Sequence, residues 1–177
     1  VKPASAPSAP CSAASLFLTI ESGKFLSLLN LVKSGANLRQ LDGKGCSVLH
    51  QAARFGRSDM VAFFIGEELG VDQRCGRRRA PVHYAAQAGS LKAVQLLTEA
   101  GANLALLDAN GATAFHLAAT SGHPAVVQYI VSHGIAWTAT LPRGKVALHT
   151  AAFHGHVGVL EYLIDLGADV HTTDAQG

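Results

Sequence analysis

Charged residues are scarce in this chain of 177 residues. Asp, Glu, Lys and Arg together make up 15% of it, against roughly a quarter in typical soluble domains. The formal net charge of +2 is too small to indicate a nucleic-acid partner, so any electrostatic argument depends on where the charges lie. Hydrophobic residues reach 49%, which is enough for a sizeable core in one ordinary domain.

Cysteines are few, and long apolar runs are absent. Cys11, Cys46 and Cys75 form an odd set without C-x-x-C spacing, which argues against a disulfide framework and favours an intracellular location, cytoplasmic or nuclear. No apolar run approaches the roughly 18 residues of a membrane span. Residues 1–15 are rich in Pro, Ala and Ser, lack the features of a secretory signal, and predict a flexible linker.

Motifs of catalysis and cofactor binding are missing as well. The chain has no G-x-S-x-G motif, no phosphate-cradling loop and no dinucleotide fingerprint. Cys46 or Cys75 would need an orienting base to act as a nucleophile, and the sequence identifies none, so we interpret both as small turn residues. We therefore expect no enzyme activity, no cofactor and no small-molecule substrate.

A ten-residue pattern occurs four times. The segments are SVLHQAARFG from Ser47, APVHYAAQAG from Ala80, TAFHLAATSG from Thr113 and VALHTAAFHG from Val146. Their histidines, their Ala-Ala pairs and their final glycines each recur every 33 residues. A constant period of this length predicts a solenoid, in which each unit buries its apolar faces against its neighbours.

The period and the pattern resemble the ankyrin repeat, whose motif is T-P-L-H-x-A-A-x-x-G. GANL (101–104), GADV (167–170), DANG (108–111) and DAQG (174–177) are similar to the loop and turn elements of that family. The resemblance covers residues 16–177 and implies an all-α solenoid of stacked helix-turn-helix units with β-turn fingers. It says much more about the fold than about a particular function.

The phase of the pattern sets the predicted boundaries. We expect a divergent N-terminal repeat at 16–41 and full repeats at about 42–74, 75–107, 108–140 and 141–173, with the start of a further repeat at 174–177. The chain starts at Val1 without a methionine, and it ends where another repeat would begin. We therefore expect it to be part of a longer protein.

Some positions depart from the pattern. Arg78 and Glu68 stand where the other repeats have glycine, which predicts an irregular loop between the first two full repeats. Ala80 and Val146 replace the usual threonine, so their helices lose a hydroxyl cap that is worth roughly 1 kcal/mol at a typical site.

The histidines of LHTAAFHGH (148–156) raise the alternative of a metal site. The resemblance implies instead that His149 and its counterparts bridge backbone and hydroxyl groups of adjacent turns. The Gly-His pairs at 122–123 and 155–156 likewise match the family's turn between helices. We expect no metal ion, although His154 falls at a variable surface position.

In ankyrin-like repeats the partner meets the turn tips and the exposed side of the first helix. Carried over by position, the candidate partner-binding residues are Lys44, Arg54, Phe55, Arg74, Arg77, Arg78, Arg79, Tyr84, Arg143, Lys145, Phe153 and His154. Eight of them are basic, of fourteen Lys and Arg in the chain, which predicts a basic concave face. The turn tip of the third repeat carries only Ala109, Asn110 and Ala112 at these positions, so it has no charge and interrupts that face.

We therefore expect a protein-interaction module whose partner is an acidic or phosphorylated protein or peptide, because arginine recognises carboxylate and phosphate groups in a bidentate manner. Two alternatives remain open. One is nucleic-acid or anionic-lipid binding through the basic face, and the other is a structural spacer that serves flanking domains. The arginines at 77–79 also fit a nuclear-import signal loosely, as an additional role.

Overall fold

The computed structural model describes residues 13–174, apart from the side chains of Ala13 and Arg143. Within that range the predicted all-α solenoid is confirmed. It has ten α-helices, arranged in pairs: α1 Ala13–Ser22, α2 Phe25–Lys33, α3 Val48–Arg54, α4 Ser58–Gly66, α5 Pro81–Gln87, α6 Leu91–Glu99, α7 Ala114–Thr120, α8 Pro124–Ser132, α9 Ala147–Phe153 and α10 Val157–Asp165. A 3-10 turn at Pro142–Gly144 precedes α9.

The helices form two layers. The first helices of the pairs, α1, α3, α5, α7 and α9, stack side by side, and α4, α6, α8 and α10 stack behind them. The Ala-Ala pairs of α3, α5 and α7 are fully buried, so small side chains let neighbouring first helices approach closely. In the second layer, Val61, Val94 and Val127 are buried at equivalent positions. Stacking of neighbours therefore builds the core.

The predicted linker and the first helix overlap. Helix α1 begins at Ala13, so residues 13–15 are helical and do not belong to a linker. Residues 1–12 and 175–177, which include most of the predicted linker and most of the predicted further repeat, lie outside the described residues. The boundaries of the individual repeats remain a prediction.

The predicted irregular loop between the first two full repeats is wrong. Arg78 has a φ of 56°, and its counterparts Gly45 and Gly111 have 72° and 76°. Glu68, at another glycine position, has a φ of 54°. The stack therefore imposes the left-handed conformation on both residues, at a cost of roughly 1–2 kcal/mol each for an L-residue.

The four repeat histidines join helices α3, α5, α7 and α9 to the repeat that follows each of them. Each Nδ1 accepts the backbone N–H of the residue three positions earlier, at 3.1–3.3 Å. Each Nε2 must then carry the proton, and it donates to a backbone carbonyl at 2.9–3.0 Å; the acceptors are Arg79, Leu106, Ala139 and Thr172. The structure thus gives these histidines the bridging role implied by the family resemblance.

Ser47 and Thr113 add a hydroxyl contact to the Nδ1 atoms of His50 and His116, at 2.8 and 2.9 Å. Ala80 and Val146 have no hydroxyl, as expected. A second set of side chains points back along the stack: His123 Nε2 donates to the carbonyl of Gln87 at 3.1 Å and His156 Nε2 to that of Thr120 at 2.9 Å. These Gly-His histidines therefore also have backbone partners in the preceding repeat.

Burial lowers the pKa of His50, His83 and His116 below the ordinary value of 6.5, although their carbonyl partners act in the opposite direction. The unfolded chain therefore binds more protons than the folded chain below that value, and stability falls as the pH drops.

We expect the free energy of unfolding to decrease between about pH 7.5 and about pH 5, as measured by urea denaturation at constant ionic strength. A variant with His50, His83 and His116 replaced by Gln should be less stable at the higher pH and should show a smaller decrease. Equal stability of the native chain at both pH values would contradict the neutral-histidine assignment.

The strain at position 78 gives a second prediction. Arg78→Gly should raise the free energy of unfolding by about 1 kcal/mol, because glycine adopts positive φ without steric cost. Arg77→Gly is the matched control, since it removes the same side chain at a neighbouring position without positive φ, and it should be neutral or slightly destabilising. Equal effects of the two substitutions in thermal and urea denaturation would rule out relief of backbone strain.

Candidate functional site

Four turns project from the stack. We call them the turn fingers and define them as residues 42–47, 75–80, 108–113 and 141–146. Backbone hydrogen bonds join the first three: Gly76 N donates to the carbonyl of Lys44 and Ala109 N to that of Arg77, each at 3.0 Å. The equivalent residue of the fourth finger is Pro142, which has no N–H to donate. The first three fingers therefore form one continuous ladder.

A pocket of about 320 Å³ lies between the first two fingers and the ends of helices α3 and α5. We call it the basic pocket, because four of its lining residues are cationic and none is acidic. Its lining residues are Lys44, Cys46, Arg54, Cys75, Arg77, Arg79, Tyr84, Gln87 and Ala88.

Arg79 belongs to the wall of this pocket and is not an exposed tip, which corrects the sequence prediction. It is only 8% exposed. Its Nε donates to Asp108 Oδ2 at 3.0 Å, and its Nη1 donates to Gln87 Oε1 at 2.8 Å. The guanidinium group is therefore fixed by an ion pair with the third finger and is already neutralised.

Tyr84 was predicted as an exposed contact residue, and the structure buries it. It is 9% exposed, beneath the Arg79 guanidinium, whose carbon lies 5.7 Å from the ring centroid. Its hydroxyl lies 3.3 Å from Cys75 Sγ and 3.6 Å from Cys46 Sγ. Burial raises the pKa of Tyr84, so the phenol stays protonated and acts as a hydrogen-bonding group at the base of the pocket.

Three cations of the basic pocket are exposed, namely Lys44, Arg54 and Arg77. None of them forms a salt bridge within residues 13–174. Arg54 lies over the ring of Phe55, which is half-buried, at 5.7 Å from the centroid. These three side chains are therefore available to an anionic ligand.

The other predicted site residues lie elsewhere. Arg78 is exposed, and Arg74 Nη2 donates to the backbone carbonyl of Leu107 in the next repeat. Three residues of the fourth repeat do not line the basic pocket: Lys145, which lies 3.9 Å from Asp174, Phe153, which is 86% exposed, and His154, whose ring stacks on His156. The side chain of Arg143 lies outside the described part of the structure.

An aspartate organises the first finger and another the third. Asp42 Oδ1 accepts hydrogen bonds from the amides two and four residues later, both at 2.8 Å. Asp108 Oδ1 does the same at 2.8 and 3.0 Å. Burial raises the pKa of both carboxyl groups, but the amide donors outweigh it and the net shift is downward. This position of the finger therefore favours an anion.

Cys75 occupies that position in the second finger, and sequence reasoning missed it. The backbone amides of Arg77 and Arg79, again two and four residues later, favour a negative charge on its sulfur. Burial raises the pKa of Cys75, but the Tyr84 hydroxyl and these amides outweigh it, so the pKa lies below its usual value. Burial raises the pKa of Cys46 to about 11. Cys75 lies 33 residues after Asp42 and 33 residues before Asp108. This alignment is the sequence signal that identifies Cys75 as the residue at the anion-favouring position of its finger.

The Arg79–Asp108 pair can be tested by removing the carboxylate charge. Asp108→Asn should lower the free energy of unfolding by about 3 kcal/mol, because it leaves a buried guanidinium without its counter-ion. Asp42→Asn is the matched control, since Asp42 makes the same amide contacts but faces Gln51 at 2.6 Å in place of an arginine; it should cost about 1 kcal/mol.

The double variant Arg79→Gln with Asp108→Asn should lose less stability than the sum of the two single losses in urea denaturation. Strict additivity would show that the two side chains do not interact.

Comparison with known proteins places the whole stack in one family. The model for ankyrin repeats (3 copies) matches residues 16–108 and 101–174. Similar curated proteins are Palmitoyltransferase ZDHHC13 of Homo sapiens, 39% identical over 90 residues, and Palmitoyltransferase Hip14 of Drosophila melanogaster, 36% identical over 92 residues.

Palmitoyltransferase ZDHHC17 of Danio rerio is 35% identical over 92 residues. The matched stretches cover 50–51% of this chain and only 14–15% of these three proteins. None of the helices described here is long and apolar enough to cross a membrane. Because the family model matches nearly the whole described chain, the chain belongs to the ankyrin repeat family.

Proposed function

We propose that this chain is a non-enzymatic interaction module that binds an acidic or phosphorylated segment of a partner protein. The observation that supports this most is the basic pocket, where the exposed cations Lys44, Arg54 and Arg77 surround a cavity without an acidic lining residue. Guanidinium groups match carboxylate and phosphate in bidentate geometry. Ankyrin repeats are interaction modules, so partner binding at the turn fingers and first helices fits the fold.

The site that we propose is narrower than the face predicted from sequence. It consists of the first two fingers and the ends of α3 and α5, with Lys44, Arg54 and Arg77 as the charged contacts. Arg79 forms part of the pocket wall and is not one of the charged contacts, because its charge is paired with Asp108. The backbone ladder between the fingers keeps the cationic side chains at a set spacing and reduces the ordering cost of binding.

The similar curated proteins are named as palmitoyltransferases, and the chain spans a small part of each. If the full protein is such an enzyme, we propose that this chain contributes partner binding and not the transfer chemistry. We also propose an intracellular location, which agrees with the free thiols of Cys46 and Cys75.

Charge reversal of the exposed cations tests the proposal. Lys44→Glu with Arg77→Glu should weaken binding to an immobilised library of acidic and phosphoserine peptides by about tenfold or more, since each lost charge-assisted contact is worth about 1.4 kcal/mol or more. Lys33→Glu with Lys92→Glu is the charge-matched control on exposed positions of α2 and α6, and it should bind like the native chain. Reversal of Arg79 is not suitable, because it would break the buried ion pair.

Fluorescence anisotropy with sequence-matched peptides that carry serine, glutamate or phosphoserine measures the preference. Unchanged affinity of the finger variant, with native circular dichroism, would overturn the site. RNA or anionic vesicles that bind more tightly than the peptides, with the same sensitivity to Lys44 and Arg77, would overturn the choice of partner.

A further inference from the structure

We propose that Cys75 is a thiol modification site, at which a small anionic disulfide of the glutathione type forms a mixed disulfide within the basic pocket. The inference does not depend on the partner proposed above. It rests on the position of Cys75 in its turn finger, on the charges around the pocket, and on the contrast with the neighbouring thiol of Cys46.

The turn position is suited to an anion. In the first and third fingers the same position holds Asp42 and Asp108, each of which accepts hydrogen bonds from two backbone amides. In the second finger Cys75 holds this position, and the amides of Arg77 and Arg79 favour the charged form of its sulfur. A thiolate satisfies these donors as a carboxylate does, and converging backbone amides stabilise anionic groups. The repeat itself thus provides two carboxylates as reference cases.

The surroundings add positive charge. Lys44, Arg54 and Arg77 line the same pocket as Cys75, together with the paired Arg79, and no carboxylate lines it. Nearby cations favour the thiolate, which is the nucleophilic form of cysteine. They also attract anionic reagents and raise the local concentration of such reagents.

Cys46 provides an internal contrast. Cys46 and Cys75 line the same pocket, are 4% and 6% exposed, and contact the same Tyr84 hydroxyl. Their access to a reagent is therefore similar, but their electrostatic settings differ. Cys75 holds the turn position that Asp42 and Asp108 hold in the sister fingers, whereas Cys46 lies four residues after that position and its own amide donates to Asp42 Oδ1 at 2.8 Å. Burial raises the pKa of the Cys46 thiol.

The pocket volume of about 320 Å³ suits a peptide-sized group whose carboxylates meet the exposed cations. In the reaction, the Cys75 thiolate attacks one sulfur of the incoming disulfide. A new sulfur–sulfur bond forms as the old one breaks, and the departing half leaves as a thiolate that takes a proton from water. Cys75 is oxidised, and the departing half of the reagent is reduced.

Two single-thiol variants test the site. Cys11→Ser with Cys46→Ser leaves Cys75 as the sole thiol, and Cys11→Ser with Cys75→Ser leaves Cys46. Each is treated with glutathione disulfide near neutral pH, and intact-mass spectrometry follows the gain of one glutathionyl group. We expect the Cys75 variant to react about tenfold faster or more, because its thiolate fraction is larger.

Steering by charge is tested with a cationic disulfide, cystamine. Glutathione disulfide should outpace cystamine at Cys75 by about tenfold or more at low salt, relative to the same ratio for free cysteine in solution. Lys44→Glu with Arg77→Glu should abolish this preference, and the control Lys33→Glu with Lys92→Glu should retain it. The readout is chemical modification, so its result is independent of whether the chain binds acidic or phosphorylated peptides.

Three results would overturn the inference: Cys75 reacts no faster than Cys46, Cys75 reacts only in urea, or cystamine reacts as fast as the anionic disulfide. If a serine variant loses its helical circular dichroism signal, peptide mapping of the wild-type chain after brief exposure ranks Cys46 and Cys75 without any substitution. A preference for Cys46 in that map would contradict the proposal equally.

Discussion

The hydrogen bonds of four buried or half-buried histidine rings connect helices α3, α5, α7 and α9 to the repeat that follows each of them, and the rest of the structure depends on the spacing that they set. Each ring accepts a backbone amide at its own helix start and donates to a carbonyl of the next loop. This requires the neutral tautomer with the proton on Nε2, and burial favours the neutral ring. With small alanines between the helices, the fingers come close enough to share backbone hydrogen bonds.

The candidate site follows from this regularity and from departures from it. Adjacent fingers lie beside one another, so a side chain of one finger can meet a side chain of the next. Arg79 pairs with Asp108 in that way, and Cys75 takes the position that an aspartate holds in two sister fingers. The exposed Lys44, Arg54 and Arg77 then surround a pocket without acidic lining residues. Pro142 ends the backbone ladder, which confines the arrangement to the first three fingers.

The sequence and the structure agree on the repeat and differ on individual side chains. The four histidines were predicted to bridge adjacent turns, and each has a partner in its own turn and one in the next repeat. Arg79 and Tyr84 were predicted as exposed contacts, yet both are buried, because the 33-residue pattern does not report which neighbour faces a given side chain. Arg78 was expected to distort its loop, and it adopts the left-handed conformation of a glycine instead. The stacked repeats supply the contacts that hold it there.

The sequence by itself determined the all-α solenoid, the family and the positions of the turn fingers, because a fixed period and helical apolar spacing are properties of the chain alone. Only the tertiary structure decided which basic residues are free and which are paired. It also decided that two cysteines 29 positions apart share one hydroxyl group. Charge pairing, burial and thiol acidity depend on distances between different repeats, and those distances exist only after the stack has formed.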